Sequence, residues 1–290
     1  MTAVKPRFRE ISESDIEAVA DLLTRGFARS EREFWMRGLR RQGTRAIPPG
    51  APRYGYLLEN EGAPVGCLLL IYSSKLQDGQ IETFCNVSSW YVDPTFRHYA
   101  ALLASMAQKR KDVTYFNVTP APSTWPILEA QGFQCYSSGL FFSIPAVSLA
   151  GREMTIEMVT PRTRSVAGLP DAELEILARH AGYGCLSLVC HSAEGPIPFI
   201  FLHLRKRRGI VPVPALKLGY CRSISDYVRC AAAIGRFVLW RGKPVVLLDA
   251  NGAAAELAGF YSVRRRKYFK GPYRPRLGDL TDTELVIYGL

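Results

Sequence analysis

The chain is poor in the features that mark metal-dependent, disulfide-stapled or nucleophilic proteins. Its seven cysteines form no C-x-x-C pair and do not gather with histidine at metal-ligand spacing, so neither a zinc site nor a disulfide scaffold is expected. Scattered cysteines of this kind fit buried thiols in a reducing cytoplasm. The four histidines (His98, His180, His191 and His203) fall in no triad spacing. A G-x-S-x-G nucleophile elbow and a G-K-[ST] phosphate loop are both missing, which removes the commonest hydrolase and phosphate-loop readings. No apolar run approaches the roughly 20 residues of a membrane span. The opening residues M-T-A-V-K-P-R-F-R-E hold no apolar stretch of a secretory signal. The expectations are a cytoplasmic protein, no membrane and no metal.

Acidic charge is also short. Against 37 Lys and Arg there are 26 Asp and Glu, a net charge of +11. Residues 1–150 hold 16 basic against 14 acidic side chains, and residues 151–290 hold 21 against 12, so the excess lies in the second half. Two runs concentrate it, Arg205-Lys206-Arg207-Arg208 and Arg264-Arg265-Arg266-Lys267. A solvated basic face is the first reading, an acidic small-molecule site the second, and nucleic acid the last, since no stacking motif accompanies the runs. With 48% hydrophobic and 22% charged residues over 290 positions, the chain suffices for two domains, each with a core of its own.

Along the chain, Phe8 to Ile11 reads as a strand. Ser14-x-x-Glu17 and Ser30-x-x-Glu33 read as capping boxes opening two helices. Tyr54–Leu58 and Val65–Tyr72 form a hairpin around Glu61-Gly62, and Ile81 starts a long strand that ends at Val92. On that strand Glu82, Phe84, Asn86 and Ser88 share a face by alternation. Pro94 then fixes its own φ and pushes Asp93 out of the helical region, so the strand stops there. Arg97, His98 and Tyr99 follow at a helix start, where backbone N–H groups lack intrahelical partners and favour an anion. Ala100 and Ala101 leave room for a ligand to approach. Further on, Thr114–Val118 reads as a strand, Ser123–Ala130 as a short helix closed by Gln131-Gly132-Phe133, and Leu140–Ile144 as a strand completing the first half.

The second half repeats this order. Arg229, Ala232 and Ala233 stand as Arg97, Ala100 and Ala101 do, followed by a helix to Trp240, a strand Pro244–Asp249, a turn at Asn251-Gly252 and a short helix ending at Gly259-Phe260. Self-similarity in fixed order argues for duplication.

The spacing of Val92, Pro94, Arg97 and Ala100, with Gly132-Phe133 after a short helix, resembles the V-x-P-x-x-R/Q-x-x-G-x-G/A signature and the "helix, then G-F" element of the GNAT acyltransferases. The resemblance covers residues 8–145, and more distantly 151–290. It implies an α+β (α/β three-layer) fold in two GNAT-like domains, residues 1–147 and 148–290, each a mixed, mostly antiparallel sheet flanked by helices, with the second copy degenerate. It also implies acetyl-CoA or another acyl-CoA as co-substrate and a small-molecule or peptide amine as acceptor, attacked directly by no covalent route through the enzyme. On this likeness Tyr91, Val92, Arg97, His98, Tyr99, Ala100, Ala101 and Asn117 line the acyl-CoA. Glu82, Asn86 and Ser88 are the catalytic candidates. Phe27, Phe34 and Trp35 border the acceptor pocket or pack helix on helix, and Leu128 holds the place where the family often has a tyrosine acid. A non-catalytic acyl-CoA-binding protein on the same fold is the alternative, and a homodimer stays open.

Overall fold

The computed structural model describes residues 6–77, 79–204 and 214–289. The chain divides into two compact units, one of Met1–Gln134, Lys267–Arg274 and Asp282–Gly289, the other of Cys135–Arg266 and Pro275–Thr281. The expected boundary at 147/148 therefore falls inside the second unit, and two late stretches of sequence belong to the first.

The first unit opens with strand β1 (Arg7–Glu10), helices α1 (Ile16–Gly26) and α2 (Arg32–Gly43), and strands β2 (Gly55–Asn60), β3 (Ala63–Gln77) and β4 (Gln80–Val92). Helix α1 forms because Val19, Ala20, Leu22 and Leu23 make one apolar stripe, and all four are buried. Neither expected capping box is used. Glu17 pairs instead with Arg32, and the box that forms joins Ser12 to Asp15, whose carboxylate accepts the Ser12 N–H at 2.8 Å. Helix α2 starts after Glu31 without a side-chain cap. The β2–β3 hairpin turns through Glu61 and Gly62 at φ 52° and 79°, the left-handed pair that a tight two-residue turn requires.

Beyond β4 come a 3-10 turn (Pro94–Tyr99), α3 (Ala100–Ala107), β5 (Val113–Asn117), α4 (Trp125–Ala130) and β6 (Gln134–Ser137). Gly132, at φ 85°, ends α4 in the left-handed conformation that favours glycine, and turns Phe133 into the core beside Leu128.

The second unit contains β7 (Gly139–Ser143), β8 (Thr155–Val159), α5 (Asp171–Gly182), β9 (Leu186–Ser192), β10 (Gly195–His203) and β11 (Ala215–Cys221). Helices α6 (Ile224–Arg229) and α7 (Ala231–Leu239) and strands β12 (Val245–Ala250) and β13 (Gly259–Ser262) follow. The chain then returns to the first unit with β14 (Lys267–Lys270) and α8 (Glu284–Ile287).

Each unit has a seven-stranded sheet, ordered β1-β2-β3-β4-β5-β14-β6 in the first and β13-β7-β12-β11-β10-β9-β8 in the second. β4 with β5, and β11 with β12, run parallel, and the neighbouring pairs are antiparallel. Both are thus mixed, mostly antiparallel sheets, as expected. Two expectations are corrected. The strand expected to complete the first half pairs instead with β12 and β13 in the second sheet. The short helix before Gly259 does not form, because the Asn251 side chain is drawn to Tyr136 O and Ser138 N (3.0 and 2.8 Å), which holds that stretch in turns.

No helix among the described residues is long and apolar enough to cross a membrane. The basic run Arg205–Arg208 lies outside the described residues. In the second run, Arg264 and Arg265 are exposed and Arg266 is half-buried, whereas Lys267 is buried.

Candidate functional site

In the first unit the site begins with a defect in β4. Leu68 of β3 faces Trp90 and Leu70 faces Val87, so Leu69 is set against two residues, Ser88 and Ser89. Such a bulge bends the strand. The parallel pairing with β5 ends at Asn86 and Phe116, while β4 runs on to Val92. β5 itself ends one residue later, at Asn117, so β4 runs on past its parallel neighbour.

A polar cluster sits at the apex where this pairing ends. Asn86 is fully buried, its Nδ2 donating to Phe116 O at 3.2 Å and its Oδ1 accepting the Glu284 N–H at 2.8 Å. One amide thus ties β4, β5 and α8 together. The Thr119 hydroxyl donates to Glu284 Oε1, while Oε2 is buried without a hydrogen-bond partner. Burial pushes the Glu284 carboxyl above the ordinary range, opposed by Ser88, Thr119 and the positive charge of Lys267. Lys267 is itself buried, with Nζ donating to Val118 O at 2.8 Å.

The α8 segment is held from the side of α2. Tyr288 OH donates to Gln42 Oε1 at 2.9 Å, and Gln42 Nε2 donates to Leu70 O at 2.8 Å. A Cβ on Gly38 would lie 1.9 Å from the Tyr288 ring, so glycine is what lets the ring seat there. Phe34, Trp35 and Tyr288 stack edge-on or tilted at 5.0–6.1 Å, and Phe27 bridges Trp35 (5.4 Å) to Tyr91 (6.2 Å). Phe27, Phe34 and Trp35 therefore form one aromatic layer with Tyr91 and Tyr288, which is the helix-packing role.

At the mouth, Val92 is buried and Asp93 N–H donates to Val65 O at 2.7 Å, which ends β4. The expected turn forms, but as a 3-10 turn whose Phe96 N–H donates back to Asp93 O (2.9 Å), while Ala100 N–H donates to Arg97 O. Those two donors face along the turn, so Arg97 and His98, both exposed, carry much of what it presents outward. The His98 ring lies against Tyr99 (4.2 Å). Ala101 is exposed and Ala100 half-buried. Asn117 caps the end of β5, its Oδ1 accepting the Thr119 N–H at 3.2 Å.

Glu82 sits apart from the apex. It precedes Asn86 by four residues, about 13 Å along a strand, and accepts a hydrogen bond from Tyr273 OH at 2.8 Å. Glu284, Thr119 and Lys267 were not in the sequence reading. Their only signal is Thr283, an N-cap residue before the apolar run Leu285–Tyr288, which announces a short buried helix but not its docking place.

The second unit fills the matching places with its own chain. Ala232 N–H at the start of α7 donates to Ala150 O at 3.0 Å, and a Cβ on Gly235 would meet Pro145 and Ala146 at 2.3 Å. Past the parallel stretch, β11 is bonded by Gly278 O to Cys221 N–H (3.0 Å) and by Leu280 N–H to Gly219 O (2.7 Å). Where the first unit has Asn86, the second has Lys217, in a buried ion pair with Asp249 at 2.8 Å. Beside the plugged turn lies a cavity of about 400 Å³ lined by Gly151, Met154, His191, Glu194 and Arg229.

A GCN5-related N-acetyltransferase from Anabaena variabilis superposes with a TM-score of 0.60 at 13% identity, covering 92% of this chain and 72% of that one. The fold is that of the GNAT acetyltransferases. A GCN5-related N-acetyltransferase from Kribbella flavida superposes on this GNAT fold at 0.55 (14% identity, 92% and 72% covered), and Eis1 from Mycobacterium abscessus at 0.52 (12%, 95% and 74%). No protein-family model and no curated protein matches the sequence. Within this GNAT fold Leu128 is core, packed with Phe133 and Tyr268, so α4 offers no acid at that position. Among the described residues, no group of three or more His, Cys, Asp or Glu is placed to hold a metal.

Proposed function

We propose that this protein transfers an acetyl or other acyl group from acyl-coenzyme A to a small-molecule or peptide amine, with the chemistry in the first unit. The observation that carries the reading is the run of β4 past the end of β5 over a buried polar cluster, with a turn bearing exposed Arg97 and His98 beyond it. A diphosphate suits that turn. Arg97 and His98 supply donors, the Tyr99–Ala100–Ala101 stretch supplies a close backbone, and the start of α3 adds a favourable field. The pantetheine arm suits the stretch between Tyr91-Val92 and Asn117, where β4 runs on past the end of β5.

The amine attacks the thioester carbonyl directly. Positioning alone is worth roughly 7–11 kcal/mol of barrier, and a backbone N–H near Tyr91 or Val92 would steady the developing oxyanion. Asn86 contributes by fixing geometry, since both ends of its amide are engaged, and Ser88 contributes a hydroxyl at the apex. Glu82 serves by holding Tyr273. The unit with the plugged turn is read as a degenerate copy, and the cytoplasm as the place of action.

Calorimetric titration with acetyl-coenzyme A tests the reading: micromolar binding is expected, weakened about tenfold by Arg97→Ala. No heat and no thermal shift would sink it. Thiol release across a panel of amines separates an enzyme from a binder. The buried Leu128 is the observation favouring the binder, which predicts binding without turnover on every amine.

A further inference from the structure

We infer that Glu284, carried into the first unit by the end of the chain, is the proton acceptor for the attacking amine, an inference that rests on the acyl-transfer reading above. Its position is set by Asn86, which accepts its N–H at 2.8 Å, and by Thr119, which occupies Oε1. Its other oxygen, Oε2, is buried and carries no hydrogen bond. A buried carboxylate oxygen that carries no hydrogen bond is left with a lone pair to take a proton, and it is an arrangement that a purely structural carboxylate avoids.

Other carboxylates are committed elsewhere. Glu82 accepts from Tyr273, Glu129 accepts from Tyr268 OH at 2.8 Å, and Asp93 faces Arg25 at 3.4 Å. The groups facing Glu284 are the Ser88 hydroxyl on β4, Thr119 after β5, the Lys267 ammonium on β14 and the Tyr288 phenol on its own segment. Burial raises the carboxyl above its ordinary value, and the Ser88 and Thr119 hydroxyls and the Lys267 charge oppose it.

In the step, the amine nitrogen bonds to the acyl carbon, the carbon–sulfur bond breaks, and the proton leaving nitrogen passes to Glu284 Oε2. The thiolate is protonated from solvent, and Glu284 returns its proton to solvent, so no oxidant or further reactant is needed.

The test uses the full chain with acetyl-coenzyme A and excess n-propylamine as a generic acceptor. With rates referred to the unprotonated amine, Glu284→Gln is expected to lower kcat by about 10²–10⁴-fold, to leave acetyl-coenzyme A affinity within about twofold, and to abolish the remaining acidic limb of kcat/KM against pH. Glu284→Asp should restore part of the rate together with the limb. Thr119→Val removes the donor to Oε1 and should move the limb to higher pH, a check that leaves the carboxyl itself in place. An unchanged limb in either variant overturns the inference. Absence of acetyl-coenzyme A binding to the wild type overturns instead the acyl-transfer reading.

Discussion

Replacing Asn86 by alanine removes the single amide that joins β4, β5 and α8. Two buried backbone groups lose a partner, the Glu284 N–H and a hydrogen bond to Phe116 O. Leaving a buried donor or acceptor unmade costs about 1–3 kcal/mol, so the pair is worth roughly 2–6 kcal/mol, and partial relaxation brings about 3 kcal/mol as the working value. The loss is local, so it is best read locally. At about 1.4 kcal/mol per tenfold, protection of the Glu284 amide against hydrogen exchange should fall about a hundredfold, with the first thermal transition moved down and acyl transfer reduced. Asn86→Asp makes the comparison sharper. It keeps an acceptor for the Glu284 N–H, yet turns an oxygen toward Phe116 O and sets a second carboxylate beside Glu284. Its amide protection should survive at acid pH, where the new carboxyl is neutral, and fail near neutrality. If Asn86→Ala leaves Glu284 protection within about threefold of wild type, the bridging role is refuted.

The remaining predictions concern other buried contacts. Lys217→Met, which leaves the buried Asp249 charge without its ammonium, should cost about 3–5 kcal/mol, and Lys217→Met with Asp249→Leu should regain most of it in denaturant melts. Gly38→Ala should destabilise by about 1–3 kcal/mol despite the better helix propensity of alanine, because the new methyl collides with the Tyr288 ring. Calorimetry on Gly38→Ala with Tyr288→Ala should recover part of that loss. Glu284→Gln should raise stability near neutral pH and lose the gain in acid. The Glu284 carboxyl has a raised folded pKa, so above the unfolded value the native state holds the extra proton and stability falls as pH rises, a penalty the amide lacks. Melting temperatures of the two proteins that run parallel from acid to neutral pH would contradict this.

Much of the scaffold was legible because local chemistry decides it. Glu61-Gly62 specifies its hairpin, Pro94 stops β4, and Gly132 ends α4, each through backbone sterics within a few residues. The repeat of Arg97-Ala100-Ala101 at Arg229-Ala232-Ala233 matches a real structural correspondence, since both triplets stand at the start of the crossover helix between the two parallel strands. The candidate site was half legible. Alternation places Asn86 and Ser88 on one face of β4, but no such pattern points to Glu284 or Lys267. No period or motif in a sequence tells where a four-residue helix or a four-residue strand docks after nearly two hundred residues of other structure. The strand Gly139–Ser143 misled for the same reason, because strand propensity is silent about which sheet a strand joins.

That exchange of strands decides how the apex is assembled. β14 stands between β5 and β6 in the first sheet, and β7 stands between β12 and β13 in the second, so each half of the sequence completes the other's sheet. Asn86 meets Glu284 across 198 residues. Closing a loop of that length, rather than one of about 12 residues, adds only about 2.5 kcal/mol of chain entropy. Burying Leu285, Val286, Ile287 and Tyr288 offsets this severalfold, at about 1.5–3 kcal/mol for each large apolar side chain. Packing of four residues thus drives a fifth, Glu284, into a place that a charged side chain would not choose by itself. The second unit shows the cheaper alternative at the equivalent position, where Lys217 and Asp249 neutralise one another from adjacent strands. A protein needing only stability could have used that pair twice. The first unit instead keeps a carboxylate with one oxygen unbonded, held by a segment delivered from the far end of the chain, the arrangement expected if Glu284 is the proton acceptor inferred above.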